Sequence, residues 1–271
     1  MLTCRGLSVC VVALFATLPV EAYQIATDLE GRMIRWAEPG ELRFIAYLPE
    51  NDSEALPCSN GLLEALRAAA ASWSTVEGSA VEVRIDAASP GEPPPRAGYD
   101  RDDPSRNVNS ILFETESWRH QPGAFAVTLR TYERTTGELL HVDIVFNAVQ
   151  YRFAALDERT RRDPDGRGPV DVQGVATHEL GHALGFEHAR SNPSAMRSTI
   201  GYGDIWMRDL SATDREGLRF LYPADDGLQP SPERVSSRGT IFTQPGSSSQ
   251  RHPWWLPRPR ATERHTRTNG F

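Results

Sequence analysis

Eleven consecutive residues, His178-Glu179-Leu180-Gly181-His182-Ala183-Leu184-Gly185-Phe186-Glu187-His188, carry most of the chemistry legible in this chain. They spell H-E-x-x-H-x-x-G-x-x-H, a spacing suited to holding zinc. On a helix His178 and His182 stand one turn apart, so both imidazoles face the same way. Glu179 lies beside them, within reach of a water held by a metal ion. Gly185 can take a positive φ without a Cβ clash and end the helix, so the chain turns and returns His188 as a third ligand. Three neutral imidazoles leave one corner of a tetrahedral zinc open, as a catalytic site needs. Five fixed residues at fixed offsets arise by chance in a chain of this length roughly once in 10^5. The bland alternative is a surface helix that happens to carry histidines. The chemistry expected is hydrolysis of a carbonyl compound. Zinc acidifies its water and polarises the carbonyl, and Glu179 takes the proton and passes it to the leaving amine. Imidazole ligates only when neutral, so metal binding is expected to weaken below about pH 6.

These side chains need a scaffold. Asp171 to Gly185 reads as an amphipathic helix, with Asp171 as N-cap and Ala176, Leu180, Ala183 and Leu184 on the face away from the histidines. Alternation predicts a half-buried strand over Glu41–Leu48, and further strands over Val81–Ile85, Val108–Phe113, Gly123–Tyr132 and Leu139–Asn147. A helix over Ser59–Val76 shows an apolar stripe of Leu62, Leu63, Leu66, Ala69, Ala70 and Trp73. Residues 88–107, rich in Pro, Gly, Asp and Arg, read as a long surface loop. A last helix, Ser211–Leu221, would pack through Leu210, Leu218, Leu221 and Tyr222. Strands first and helices later imply an α+β domain: a five-stranded mixed, twisted sheet with an early helix, the motif helix and a C-terminal helix.

The chain has 271 residues, a net charge of −7 and no lysine, which gives no indication of a nucleic-acid partner. Met1–Ala22 reads as a secretory signal peptide: Arg5, an apolar run Leu7–Val20, then Val20-Glu21-Ala22. The run is short for a transmembrane helix, so a secreted or extracytoplasmic chain with no membrane span is expected. Cleavage near Ala22 would remove Cys4 and Cys10 and leave Cys58 alone, expected buried. Residues 23–222 form the expected folded domain. The tail, 223–271, holds seven arginines against four acids and few aliphatics, and is expected to be disordered. Asp163-Pro164-Asp165-Gly166 offers oxygen ligands for calcium, although a solvated acidic turn is the commoner meaning of such a run. His120 and His141 stand alone and read as surface or core residues.

With these residues in view, the chain resembles a metzincin metallopeptidase of matrixin type over roughly Arg35 to Tyr222. The eleven-residue motif is the strongest likeness. Ser194-Ala195-Met196, eight residues past His188, is similar to the Met-turn beneath the zinc, and Leu210-Ser211-Ala212-Thr213-Asp214-Arg215-Glu216-Gly217-Leu218-Arg219-Phe220-Leu221-Tyr222 to the closing helix. Weaker matches are Ala71-Ser72-Trp73-Ser74 and Val142–Asn147. Ala189 and Arg197-Ser198 depart from the family's usual Ser/Thr and aromatic-Pro, which touches the pocket wall. No cysteine switch precedes the domain, and no His/Asp-rich loop offers a second zinc site. The resemblance implies a monomeric zinc endopeptidase, with Glu179 as base. An extended polypeptide would pair with an edge strand within Ala124–Leu129. Ile200–Trp206 would rim the side-chain pocket, with Gly201 and Gly203 lending mobility.

Overall fold

The computed structural model describes residues 23–49, 61–157, 168–190 and 193–224. The expected signal peptide, Cys58, the Asp163–Gly166 run and the tail beyond Ala224 lie outside these residues. Alternation along β1 (Glu41–Tyr47) buries Leu42, Phe44 and Ala46 on one face. The chain then forms α1 (Leu62–Ser74), β2 (Glu82–Ala87), β3 (Ser110–Glu114), β4 (Ala126–Tyr132), β5 (Leu139–Asn147), β6 (Phe153–Ala154), β7 (Val170–Asp171), α2 (Val172–Ala183) and α3 (Ala212–Leu221). The expected elements are all present, with ends displaced by a few residues. The fold is α+β.

Five strands form one mixed sheet in the order β2-β1-β3-β5-β4. Four run parallel, with α1 as the crossover between β1 and β2, and β4 alone is antiparallel, against β5. Helix α1 buries Leu62, Ala65, Leu66, Ala69, Ala70 and Trp73, while Leu63 is only partly buried. Its Trp73 indole donates to the Thr177 carbonyl at 2.8 Å, which fixes α1 against the middle of α2.

The two edges of the sheet differ. On β2, Ser74 Oγ accepts from Val83 N (2.9 Å) and shares its one proton between Ala70 O (2.9 Å) and Val83 O (3.3 Å), and Arg67 Nε donates to Ile85 O (3.1 Å). On β4, no side chain among the described residues hydrogen-bonds a main-chain group. The Phe125 carbonyl accepts from Asn147 N at 2.8 Å, one pair beyond the Ala126–Phe146 register. Hydrogen-bonded pairs alternate in an antiparallel ladder, so Val127, Leu129 and Thr131 bond β5. Ala126, Thr128 and Arg130 turn their N–H and C=O groups away from the sheet.

Helix α2 is not amphipathic. Every residue from Val172 to Ala183 except Gln173 is buried, histidines included. The helix is enclosed by α1, β4, β5 and the segment after His188, so the polar ligand face is covered too. Loop 88–107 runs over the surface with one short 3₁₀ turn, Pro104–Arg106. Gly98 N donates to buried Asp143 at 2.7 Å and anchors it.

Candidate metal centre

Asp171 caps α2 by accepting from Gly174 N at 2.8 Å. The same carboxylate receives Arg208 at both oxygens, 2.5 and 2.7 Å, so the cap is also an ion pair tying the helix start to the segment before α3. At the other end Gly185 has φ 98°, and a Cβ there would meet the Ile34 carbonyl at 2.4 Å. Phe186 N donates to Gly181 O and Gly185 N to His182 O, both at 3.0 Å, the double bond of a glycine-ended helix. The remaining terminal carbonyls are also met: Ala183 O by the Trp36 indole (3.0 Å) and Leu184 O by the Tyr222 hydroxyl (2.8 Å). The segment Gln24–Ala26 then brackets the turn, since Gln24 O accepts from Glu187 N at 2.9 Å and Ala26 N donates to Gly185 O at 2.8 Å.

This turn delivers His188 to the other two rings. His182 Nε2 lies 3.0 Å from His178 Nε2 and 3.2 Å from His188 Nε2. Among the described residues these three form the one cluster of His, Cys, Asp or Glu that could hold a metal ion. His178 Nδ1 faces the Ala195 carbonyl at 2.7 Å and His182 Nδ1 faces the Phe186 carbonyl at 2.8 Å. A carbonyl only accepts, so both rings carry their proton on Nδ1 and turn an Nε2 lone pair inward. Lone pairs at such separations repel unless a cation lies between them. Imidazole nitrogens about 2.0–2.1 Å from a tetrahedral zinc would stand about 3.3 Å apart, close to the distances here. The residues present therefore fit a zinc ion.

Burial sets the charges. His178 is pushed down to about 3 by burial, reinforced by His188; His188 falls to about 4 through burial and Arg130. His182 goes well below its ordinary value by burial and then by His178, His188 and Arg130. The rings thus stay neutral well below the pH of about 6 at which the sequence alone has metal binding weaken. Glu179 moves the other way, to about 8, because burial penalises its charge more than Thr128 and Arg130 compensate. Its Oε2 accepts from Thr128 Oγ1 at 2.6 Å, and its Oε1 is buried without a partner among the described residues.

Met196 is buried beneath the helix. A Cβ on Gly181 would fall 2.1 Å from Met196 Sδ and 2.8 Å from Trp73, so glycine at this motif position admits both side chains. Asp214 of α3 holds the turn before Met196: it accepts from Ser194 Oγ (2.6 Å), Ala195 N (2.9 Å) and Ser211 N (2.9 Å). Through Ala195 that carboxylate bears on the His178 ring. Ala189 N donates to Met196 O at 2.7 Å, which joins the stretch after His188 to the same turn.

Sequence reasoning did not find Thr128, Arg130, Asp214 or the Gln24–Ala26 bracket. Arg130 Nη2 lies 2.7 Å from Glu187, the neighbour of His188. The capping-box spacing of Ser211 and Asp214 was a signal for one of them; the others lie far from the motif in sequence. His141 is buried and faces the Val108 carbonyl at 3.1 Å, and half-buried His120 packs on Trp118; neither joins the three rings. The Ile200–Trp206 segment is tied down: Gly201 N donates to Asp204 at 2.9 Å, Gly203 N to Pro169 O at 3.3 Å, and Tyr202 packs on Phe125.

Residues 103–223 match the family model described as Matrixin. Curated relatives agree over short stretches. Macrophage metalloelastase of Oryctolagus cuniculus is 44% identical over 59 residues, 22% of this chain and 13% of that protein. Metalloendoproteinase 5-MMP of Arabidopsis thaliana is 34% identical over 90 residues, 32% of this chain and 23% of that protein. Matrilysin of Felis catus is 41% identical over 70 residues, 26% of each. The matched stretches span about a quarter or less of these relatives' lengths. Over residues 103–223 the chain is matrixin-like.

Proposed function

Starting from the matrixin-like character of residues 103–223, we propose that this chain is a secreted zinc-dependent endopeptidase acting on extended polypeptides. The observation that carries this reading is the pairing of three inward-facing imidazole nitrogens with a neighbouring buried carboxyl whose Oε1 has no partner among the described residues. His178, His182 and His188 would hold one zinc ion, which when bound supplies a Lewis acid for a peptide carbonyl and an acidified water. Glu179 takes the proton of the attacking water at Oε1 and delivers it to the departing amine. The carbonyls of Ala195 and Phe186 keep two ring lone pairs aimed inward through the cycle. Burial of Glu179 excludes bulk water from its carboxyl.

The substrate lies along β4. That edge offers the outward main-chain groups of Thr128 and Arg130, free of side-chain caps among the described residues, and a peptide added there passes the Glu179 and His182 end of the site. Export rests on the character of Met1–Ala22, and among the described residues no helix is long and apolar enough to cross a membrane.

The test is hydrolysis of casein or gelatin by the purified chain, abolished by a chelator and restored by zinc. Glu179→Ala should retain one zinc per chain and lose about 10²–10⁴-fold in turnover. Zinc bound at full occupancy with no proteolysis by the unaltered chain would leave a silent binding domain. Turnover of a simple amide but no peptide would make it an amidase.

A further inference from the structure

We infer that Thr128 is a positioning residue for Glu179: its hydroxyl holds Oε2 of the base from the strand along which substrate lies, so that Oε1 handles the proton. This rests on the endopeptidase reading above. Two facts of geometry carry it. Thr128 is the one β4 residue that turns its main-chain groups to the open edge and sets its side chain on the base. Its Oγ1 lies 2.6 Å from Glu179 Oε2 and 3.1 Å from the Glu179 main-chain carbonyl.

A hydroxyl has one proton to give and lone pairs to receive. When the carboxyl is ionised, Thr128 donates to Oε2. When a proton sits on Oε2, Thr128 accepts it and turns its own proton to the carbonyl 3.1 Å away. When the proton sits on Oε1, Oε2 still accepts from Thr128. Every protonation state of the base is therefore hydrogen-bonded without moving a heavy atom, and turning the carboxyl about its last bond would break that contact. Oε1 is left as its one unpartnered acceptor among the described residues, the atom free to take up a proton. Valine has nearly the shape of threonine but would leave Oε2 bare as well. Nothing else among the described residues hydrogen-bonds that oxygen.

The experiment compares the unaltered chain with Thr128→Val and Thr128→Ser. Zinc per chain, kcat and KM on one casein-derived peptide, and the affinity of acetohydroxamate, a metal-chelating probe with its own donors, are read for each. Thr128→Val should keep one zinc and a KM within about twofold, lose roughly tenfold or more in kcat, and bind the hydroxamate several-fold more weakly. Thr128→Ser should recover kcat to within about threefold. If the valine variant is insoluble, Thr128→Ala is read by the same criteria. An unaltered chain that cleaves nothing overturns the endopeptidase reading. A chain that cleaves, with the valine variant equally fast, or slowed only through lost zinc or raised KM, overturns the role of Thr128 alone.

Discussion

The sheet has two edges, and the molecule treats them in opposite ways. An edge strand exposes a row of main-chain donors and acceptors that invites another strand. On β2 that row is closed by α1, whose Ser74 both accepts from and donates to Val83 and whose Arg67 caps Ile85. On β4 the row is left open at Thr128 and Arg130, whose side chains turn inward to Glu179, His182 and Glu187. One edge is spent on stability. The other is left open in part, and its side chains reach the three-histidine site. The local chemistry is common to both; what differs is whether a helix with the right polar residues lies alongside.

The largest effect should come from the metal side. His182→Ala removes the ring that lies between the other two, so zinc and proteolysis should both disappear. Zinc measured per chain checks this, and full occupancy in that variant would end the three-ring assignment.

Next is the pH response of the zinc-stripped chain. His178 and His188, at about 3 and about 4, and His182, lower than its ordinary 6.5, release protons on folding. Their favourable contribution is fully present above about 6.5 and is lost as pH falls toward 4. Glu179 is raised from 4.5 to about 8, so its contribution is present below about 4.5 and lost as pH rises through 8. Between 4.5 and 6.5 three rings oppose one carboxyl and stability rises. Above 6.5 only Glu179 acts and stability declines. Thermal melting of the stripped chain should peak near pH 6.5, and Glu179→Gln should flatten the alkaline limb and steepen the acid one. An alkaline limb unchanged in that variant would assign it to another group.

A substrate peptide N-methylated at alternate amides tests the open edge, because each methyl group blocks pairing with the outward groups of Thr128 and Arg130. KM should rise about tenfold over the unmethylated peptide, and an unaltered KM would remove β4 as the substrate strand. The smallest change belongs to the closed edge. Ser74→Ala uncaps Val83 and should cost about 1–3 kcal/mol in urea unfolding, with kcat and KM untouched. Loss of activity there would erase the contrast between the edges.

The elements and the three-histidine cluster were legible because their signals are local. Alternation marked β1, and β5 was bounded to the residue. The spacing of His178, His182, Gly185 and His188 is a statement about one helical turn and one reversal. The amphipathic reading of α2 failed because periodicity describes residue types, not what covers them. Its histidine face is polar by composition and buried by tertiary packing. Leu63 shows the reverse, an apolar residue of the expected stripe left partly exposed.

The sequence by itself determined which groups meet across one turn: two imidazoles four residues apart, a carboxyl between them, and a glycine able to reverse the chain. Tertiary structure decided how those groups are held. Carbonyls of Ala195 and Phe186 fix the ring tautomers, Asp214 secures the turn beneath, Gln24–Ala26 brackets the approach to His188, and Thr128 holds the Glu179 carboxyl. The reason is range. Helical period and glycine conformation act within a few residues. A hydrogen bond from Thr128 to Glu179 joins residues 51 apart, and nothing in the composition of either segment announces it until the sheet and the helix have packed together.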